Sequence, residues 1–130
     1  MSAIIHHLLD AAPAPVAPFS HAVETDGWVF VTGQIPENPD QEDDPLPVGI
    51  EAQTRRVMEN LKVVLAGIGL GFEHVVSARV FIIDMREFET MNKIYASYFP
   101  PSKRPARTCI GVTGLAKGAR VEIDFIARRP

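Results

Sequence analysis

Residues 120–127 alternate strictly between two kinds of side chain, and this alternation is the strongest constraint that the sequence places on the fold. One face is apolar and consists of Val121, Ile123, Phe125 and Ala127. The other face consists of Arg120, Glu122, Asp124 and Ile126. Successive side chains of a strand point to opposite sides, so the pattern predicts a strand whose apolar face packs on a core. Ile126 is either an ordinary surface residue or part of a subunit contact.

Two helices are predicted from apolar residues at helical spacing. The first spans Gly49–Leu70, and its apolar stripe consists of Ile50, Val57, Leu61, Val64, Leu65 and Ile68. The second spans Met85–Phe99, and its stripe consists of Phe88, Met91, Tyr95 and Phe99. Pro100 and Pro101 end the second helix, because proline is unfavourable inside a helix.

Four further segments have the composition of strands: residues 22–24, 28–32, 75–83 and 108–112. The first two form a hairpin through Asp26 and Gly27, a pair favoured in tight turns. The continuous apolar run Val80–Ile83 predicts a strand covered on both faces. The order β-β-α-β-α-β-β predicts an α+β fold with a mixed β-sheet. Two helices can cover only one face, so we expect the other face to be solvated or covered by a partner.

Composition narrows the class of protein. A length of 130 residues suits a single domain, residues 1–130. The net charge of −3 argues against a nucleic-acid-binding surface. The only cysteine, Cys109, excludes an intrachain disulfide and fits a reducing cytosol. Neither a secretory leader nor an apolar run of membrane-spanning length is recognisable, so we expect a soluble, cytoplasmic protein.

No metal or phosphate site is predicted. The histidines at 6, 7, 21 and 74 lack the i, i+4 spacing of a helical metal site, and His6 and His7 are expected near a mobile end. The glycines at 67, 69 and 71 close a helix, whereas a phosphate loop opens one. Residues 37–47 are acidic and proline-rich, which predicts an exposed loop, and residues 11–18 are predicted to be extended.

Candidate chemistry lies near the C-terminus. Arg107 and Cys109 are two residues apart, so in a strand they share a face. Arginine suits recognition of a small carboxylate, and a carboxylate such as Glu122 can position water or move a proton. Spacing alone leaves the alternatives open: Arg107 as an exposed edge residue, Cys109 as a small core residue and Glu122 as a surface carboxylate.

Several short motifs, taken in order, resemble the RidA family (also called YjgF) of reactive-intermediate deaminases. They run from about residue 17 to residue 129, nearly the whole chain. The motifs are Ala17-Pro-Phe-Ser-His-Ala22, Val31-Thr-Gly-Gln-Ile-Pro36, Gln53-Thr-Arg, Glu59-Asn-Leu, Asn92 with Tyr95–Phe99, Pro105-Ala-Arg-Thr-Cys109 and Val121-Glu-Ile-Asp124. Each motif is short, but their order and spacing together are specific.

The resemblance implies a chorismate-mutase-like fold and a homotrimer with a central barrel and sites between subunits. It implies hydrolysis of enamines and imines, such as 2-iminopropanoate and 2-iminobutanoate, to 2-oxo acids and ammonia, with no cofactor or metal. Two alternatives stay open. One is a pathway-specific deaminase acting on aminoacrylate or 2-aminomuconate, and the other is a non-catalytic small-ligand-binding or chaperone-like protein. The negative net charge disfavours a ribonuclease, and we therefore do not expect nucleic acid as a partner.

The resemblance also assigns roles to individual residues. Arg107 would bind the substrate carboxylate, and Glu122 would orient water or assist proton transfer. Cys109 and Gly33 would line the pocket, and Asn92 would be a secondary pocket residue.

Two positions depart from the usual family residues. Thr32 replaces a frequent serine and keeps a hydroxyl. Phe19 stands where many members have tyrosine, so the aromatic wall is kept and the hydroxyl is lost.

Overall fold

The computed structural model describes residues 3–130, so residues 1 and 2 of the predicted domain lie outside the described part. Six strands form one sheet in the order β1-β2-β3-β6-β4-β5. Their bounds are β1 Ile5–His7, β2 Ala22–Thr25, β3 Trp28–Gln34, β4 Val75–Ile82, β5 Ala106–Gly111 and β6 Val121–Arg128. Only the β4–β5 pair is parallel among the described strand pairs. The mixed sheet and α+β class are as predicted.

Both predicted helices form, with shorter bounds. Helix α1 is Ile50–Gly67 and helix α2 is Phe88–Ala96. A turn of 3-10 helix, Met85–Glu87, precedes α2, and Asp84 caps this turn by accepting a hydrogen bond from the Arg86 amide. The predicted start at Met85 was therefore three residues early for the α-helix.

The core lies between the helices and one face of the sheet. The apolar stripe of α1 is buried. Met91 and Tyr95 of α2 are also buried, and so is Phe99, which follows the helix. The apolar face of β6 packs against them, as the alternation predicted. This burial of one sheet face is the main source of stability in such a two-layer fold.

The opposite face of the sheet keeps much of its apolar surface in contact with solvent. Phe30 of β3 is 48% exposed and Ile110 of β5 is 40% exposed. Ile126 pairs with Phe30 across β3 and β6 on the same face. Phe81 of β4 also lies here and is half-buried, so the prediction that residues 80–83 are covered on both faces was wrong for the isolated chain.

The first strand was not predicted. Residues 5–7 pair with β2, so the prediction of a mobile end at His6 and His7 was wrong. His7 Nε2 lies 2.9 Å from Glu24 Oε1, and Arg129 donates two hydrogen bonds to the same carboxylate. These long-range contacts hold a segment whose own composition gives no strand signal.

The loop of residues 37–47 is mostly exposed, as predicted, but Glu37 is buried. Its Oε2 accepts a hydrogen bond from Lys117 Nζ at 2.7 Å. Lys117 has a positive φ of 56°, which is uncommon for a residue with a side chain. The ion pair fixes the start of the loop beside the turn that precedes β6.

Candidate active site

Arg107 lies on the helix side of the edge strand β5. It pairs with Ala78 of β4, which is part of the core. Its guanidinium carbon lies 4.9 Å from the ring centre of Tyr95 and 5.6 Å from that of Phe88. Its Nη1 also approaches Met91 Sδ at 4.0 Å. The cation is therefore held against α2 by two aromatic rings and a thioether.

No carboxylate lies within ion-pairing distance of Arg107 among residues 3–130. A half-buried guanidinium without a counter-ion is costly. Its five N–H donors match the two oxygens of a carboxylate. The arrangement can therefore accept a small anionic ligand without first breaking an ion pair.

Two buried polar atoms of α2 also lack partners. Asn92 Oδ1 and the Tyr95 hydroxyl are both buried, and neither makes a hydrogen bond within the described chain. Phe88, Asn92 and Tyr95 lie at i, i+4 and i+7 on one face of α2. Burial raises the pKa of Tyr95 to about 12, although the positive charges of Arg107 and Arg104 oppose this. The Tyr95 hydroxyl is therefore neutral and available to donate or accept.

Cys109 shares the face of Arg107, as the spacing predicted. It is half-buried against the core, and burial raises the pKa of its thiol despite the nearby Arg107 charge. A raised pKa keeps the group as a thiol, which is a poor nucleophile. The geometry therefore fits a pocket wall better than covalent catalysis.

Glu122 lies on the other face of the sheet, where it pairs with Phe81. Its carboxylate packs against Gly33, and a β-carbon at that position would lie 3.1 Å from Glu122 Cδ. Burial raises the pKa of Glu122, with a smaller contribution from the negative charge of Asp124. Glu122 makes no hydrogen bond or ion pair with any other residue in the described range. A raised pKa makes this carboxylate a stronger base than a freely solvated one, which suits it to proton transfer.

A cavity of about 250 Å³ adjoins Glu122. Residues 13–17 and Phe19 form one wall, and Thr32, Gly33 and Ile35 form another. Phe19 is 36% exposed. The Thr32 hydroxyl donates a hydrogen bond to the Ser20 carbonyl at 2.6 Å, so its proton is already engaged within the chain.

The seven predicted site residues thus fall into two groups. We call Arg107, Cys109 and Asn92 the arginine group, and Phe19, Thr32, Gly33 and Glu122 the glutamate group. Strand β4 lies between the strands that carry Arg107 and Glu122. The two residues are offset by about 10 Å along the strands, and their side chains lie on opposite faces of the sheet. A small ligand cannot contact both groups within one chain.

Comparison with known proteins identifies the family. The family model described as Endoribonuclease L-PSP matches residues 9–129. A mouse 2-iminobutanoate/2-iminopropanoate deaminase is 36% identical over 98% of this chain and 94% of its own length. The chain belongs to the RidA/YjgF/RutC family.

Two further members are close in sequence or structure. A RutC family protein from Synechocystis is 40% identical over 92% of each chain. The crystal structure of RidA from an Antarctic Psychrobacter has a TM-score of 0.89 with 31% identity, covering 95% of this chain and 98% of the other. RidA-family membership therefore accounts for the fold described above.

Sequence reasoning missed part of the candidate site. It placed Phe88 and Tyr95 in the apolar stripe of α2 and gave them no role beside Arg107. Helical spacing marked the correct face, but only the position of β5 shows that this face meets a guanidinium. Within the described residues, no group of histidine, cysteine and carboxylate side chains could hold a metal ion. No described helix is long and apolar enough to cross a membrane.

Proposed function

We propose that this protein hydrolyses small imines and enamines, such as 2-iminopropanoate and 2-iminobutanoate, to 2-oxo acids and ammonia. The observation that carries the proposal is the half-buried Arg107 guanidinium, which has aromatic support and no carboxylate partner among the described residues. The mouse relative's activity and the family membership support the same reaction. The proposal includes a cytosolic location, because such intermediates arise there.

The proposed site lies between two copies of the chain. One copy supplies the arginine group and the next supplies the glutamate group, because one chain holds them on opposite faces. The exposed apolar surface around Phe30 and Ile126 supplies the contact, and three copies closing around these faces give a trimer with three equivalent sites. Contiguous apolar surface of this kind is typical of interfaces.

The chemistry needs no cofactor. Arg107 binds the substrate carboxylate with two parallel hydrogen bonds. Glu122 accepts a proton from a water molecule as its oxygen bonds to the imine carbon, and returns the proton to nitrogen. Glu122 then moves the proton of the new hydroxyl group to the nitrogen as the C–N bond breaks, leaving the 2-oxo acid and ammonia. An iminium carbon is already electrophilic, so positioning supplies most of the rate gain.

The test generates 2-iminopropanoate in place and follows its loss by absorbance. Arg107→Ala is expected to fold and to lose at least ~100-fold in kcat/KM, since it removes the anionic anchor. Arg55→Ala is the matched control, because Arg55 is exposed on α1 and ion-paired with Glu51, away from both groups. Equal activity of the parent and Arg107→Ala would overturn the proposal.

Phe19 favours a second candidate within the same chemistry. A pathway-specific deaminase acting on aminoacrylate or 2-aminomuconate would tolerate a phenyl ring where other family members place a hydroxyl. Direct comparison of kcat/KM on these compounds and on 2-iminopropanoate separates the two candidates. Saturable binding of a 2-oxo acid without any acceleration of hydrolysis would instead identify a non-catalytic binder.

The charges give no support to an RNA-cleaving role, despite the name of the family model. The net charge is −3, and five of the cations are paired with carboxylates: Arg79 with Asp124, Arg86 with Asp84, Arg120 with Glu87, Lys117 with Glu37 and Arg129 with Glu24. Binding to a phosphate backbone relies on clustered, available positive charge. We therefore do not include nucleic acid among the partners.

A further inference from the structure

The cavity beside Glu122 is larger and more apolar than the smallest imino acids require. It has a volume of about 250 Å³. At about 30 Å³ per water molecule, this corresponds to roughly eight waters. The methyl group of 2-iminopropanoate would leave most of that space unfilled.

Apolar residues dominate the cavity wall. They are Pro13, Ala14, Pro15, Val16, Ala17, Phe19, Ile35 and Ala116. Two of the polar side chains at the wall are already engaged: Glu37 by Lys117 and Thr32 by the Ser20 carbonyl. A polar substituent would therefore find few available partners, and an apolar one would be well accommodated.

The cavity wall is held firmly despite its loop-like sequence. His21 is buried, receives a hydrogen bond from the Leu9 amide at its Nδ1, and has its Nε2 2.7 Å from the Pro13 carbonyl. Proline restricts the backbone of this segment further. The cavity is consequently part of the folded chain and does not depend on a ligand to form.

We propose that this cavity receives the side chain of the substrate, so that the enzyme favours 2-imino acids with apolar side chains of leucine, methionine or phenylalanine size. The inference rests on the proposed function, because it places the imine carbon at Glu122. With that carbon beside the carboxylate, the substrate side chain enters the apolar space that Glu122 adjoins. The reaction is unchanged: water adds to the imine carbon and ammonia leaves.

The experiment compares imines formed in place by an amino-acid oxidase from alanine, 2-aminobutyrate, leucine, methionine and phenylalanine. The leucine, methionine and phenylalanine imines are expected to have kcat/KM values at least ~10-fold above that of the alanine imine, since even one added methylene in an apolar pocket is worth about that much. Ala14→Leu and Ala17→Leu fill the cavity. They should lower kcat/KM for the leucine, methionine and phenylalanine imines more than for the alanine imine and so remove this preference.

Ala52→Leu, on the exposed side of α1 and outside the cavity, is the matched control and should keep the preference. Equal kcat/KM across the five imines, or a preference that survives both filling variants, would overturn the inference. Failure to hydrolyse any imine would instead overturn the proposed function. If the parent hydrolyses all five imines equally, the proposed deaminase activity holds and only the assignment of the cavity is wrong.

Discussion

Gly33 and Glu122 are in such close contact that a β-carbon on Gly33 would overlap the Glu122 carboxylate. The two residues lie on neighbouring strands, β3 and β6, near an irregularity in their pairing between Val31 and Gln34. A glycine at this position therefore lets the carboxylate lie flat against the strand. No positive φ is involved, so the requirement is one of space.

Replacing Gly33 by alanine should displace the Glu122 carboxylate without unfolding the protein. A shift of about 1 Å in a reacting group can cost ~100-fold in rate, so kcat should fall by ~10- to 100-fold while KM changes less. Steady-state kinetics on an imine measures this split. Gly114→Ala is the control, because a β-carbon there meets nothing within 4 Å. Unchanged kcat in Gly33→Ala would contradict the role given to the contact.

Tyr95 should position Arg107 through its ring and not through its hydroxyl. Tyr95→Leu removes the ring that lies 4.9 Å from the guanidinium, and a lost cation–π contact of about 1 kcal/mol corresponds to ~5-fold weaker binding. Calorimetric titration with 2-oxobutanoate measures the affinity. The Nε–H resonance of Arg107 should also move, since it loses the ring current of Tyr95.

Tyr95→Phe is the conservative counterpart. It keeps the ring and deletes a hydroxyl that has no partner within the described chain. We expect an affinity for 2-oxobutanoate near that of the parent and a free energy of unfolding that is unchanged or raised by up to about 1 kcal/mol. A loss of affinity equal to that of Tyr95→Leu would show that the hydroxyl itself contacts the ligand.

Phe30→Asp should separate the copies of the proposed trimer. Phe30 is 48% exposed on the face opposite the helices, and a carboxylate buried there would lack a partner. Light scattering should change from trimer to monomer mass, and imine hydrolysis should be lost with it. Val48→Asp, at a 95% exposed position in the loop before α1, should change neither. A monomeric parent at micromolar concentration would refute the assembly.

The Glu24 carboxylate should make stability depend on acid pH. Hydrogen bonds from Arg129, and then from His7, lower the pKa of Glu24 from 4.5 to about 2. Because the folded pKa is the lower one, this stabilisation is present above pH 4.5 and is lost as the pH falls towards 2. Glu24→Gln should therefore lower the free energy of unfolding by about 1–3 kcal/mol at pH 7, and the difference should shrink between pH 4.5 and 2.

Urea titrations at several pH values measure this difference. Glu51→Gln is the control, since its i, i+4 pair with Arg55 is exposed and worth little. Hydrogen exchange adds a local readout, because β1 should lose protection in Glu24→Gln at neutral pH. A difference that does not vary with pH would show that packing, and not the charge, is lost.

The elements that local patterns specify were predictable. The alternation of β6, the stripe of α1 and the Asp26–Gly27 turn, with both residues at positive φ, are encoded within a few neighbours. Strand β1 was not predictable from local patterns, because long-range contacts with Glu24 hold it. The burial of Glu37 was also missed, since its partner Lys117 lies 80 residues away.

The positions of the candidate site residues were also predictable only where a local pattern specifies them. Period-two spacing correctly placed Arg107 and Cys109 on one face. Which face this is depends on the parallel pairing of β5 with β4, a long-range arrangement that no local pattern specifies. The separation of Arg107 from Glu122 follows from that pairing and became visible only in the folded chain.

The placement of Arg107 and Glu122 on opposite faces has a genetic consequence. Two inactive variants, Arg107→Ala and Glu122→Gln, each carry one intact group. If the two variants refold together into the proposed trimer, every mixed trimer contains one junction where an intact arginine group meets an intact glutamate group. Random mixing in equal amounts should then recover about a quarter of the parent's activity. A site contained in a single chain would show no such complementation.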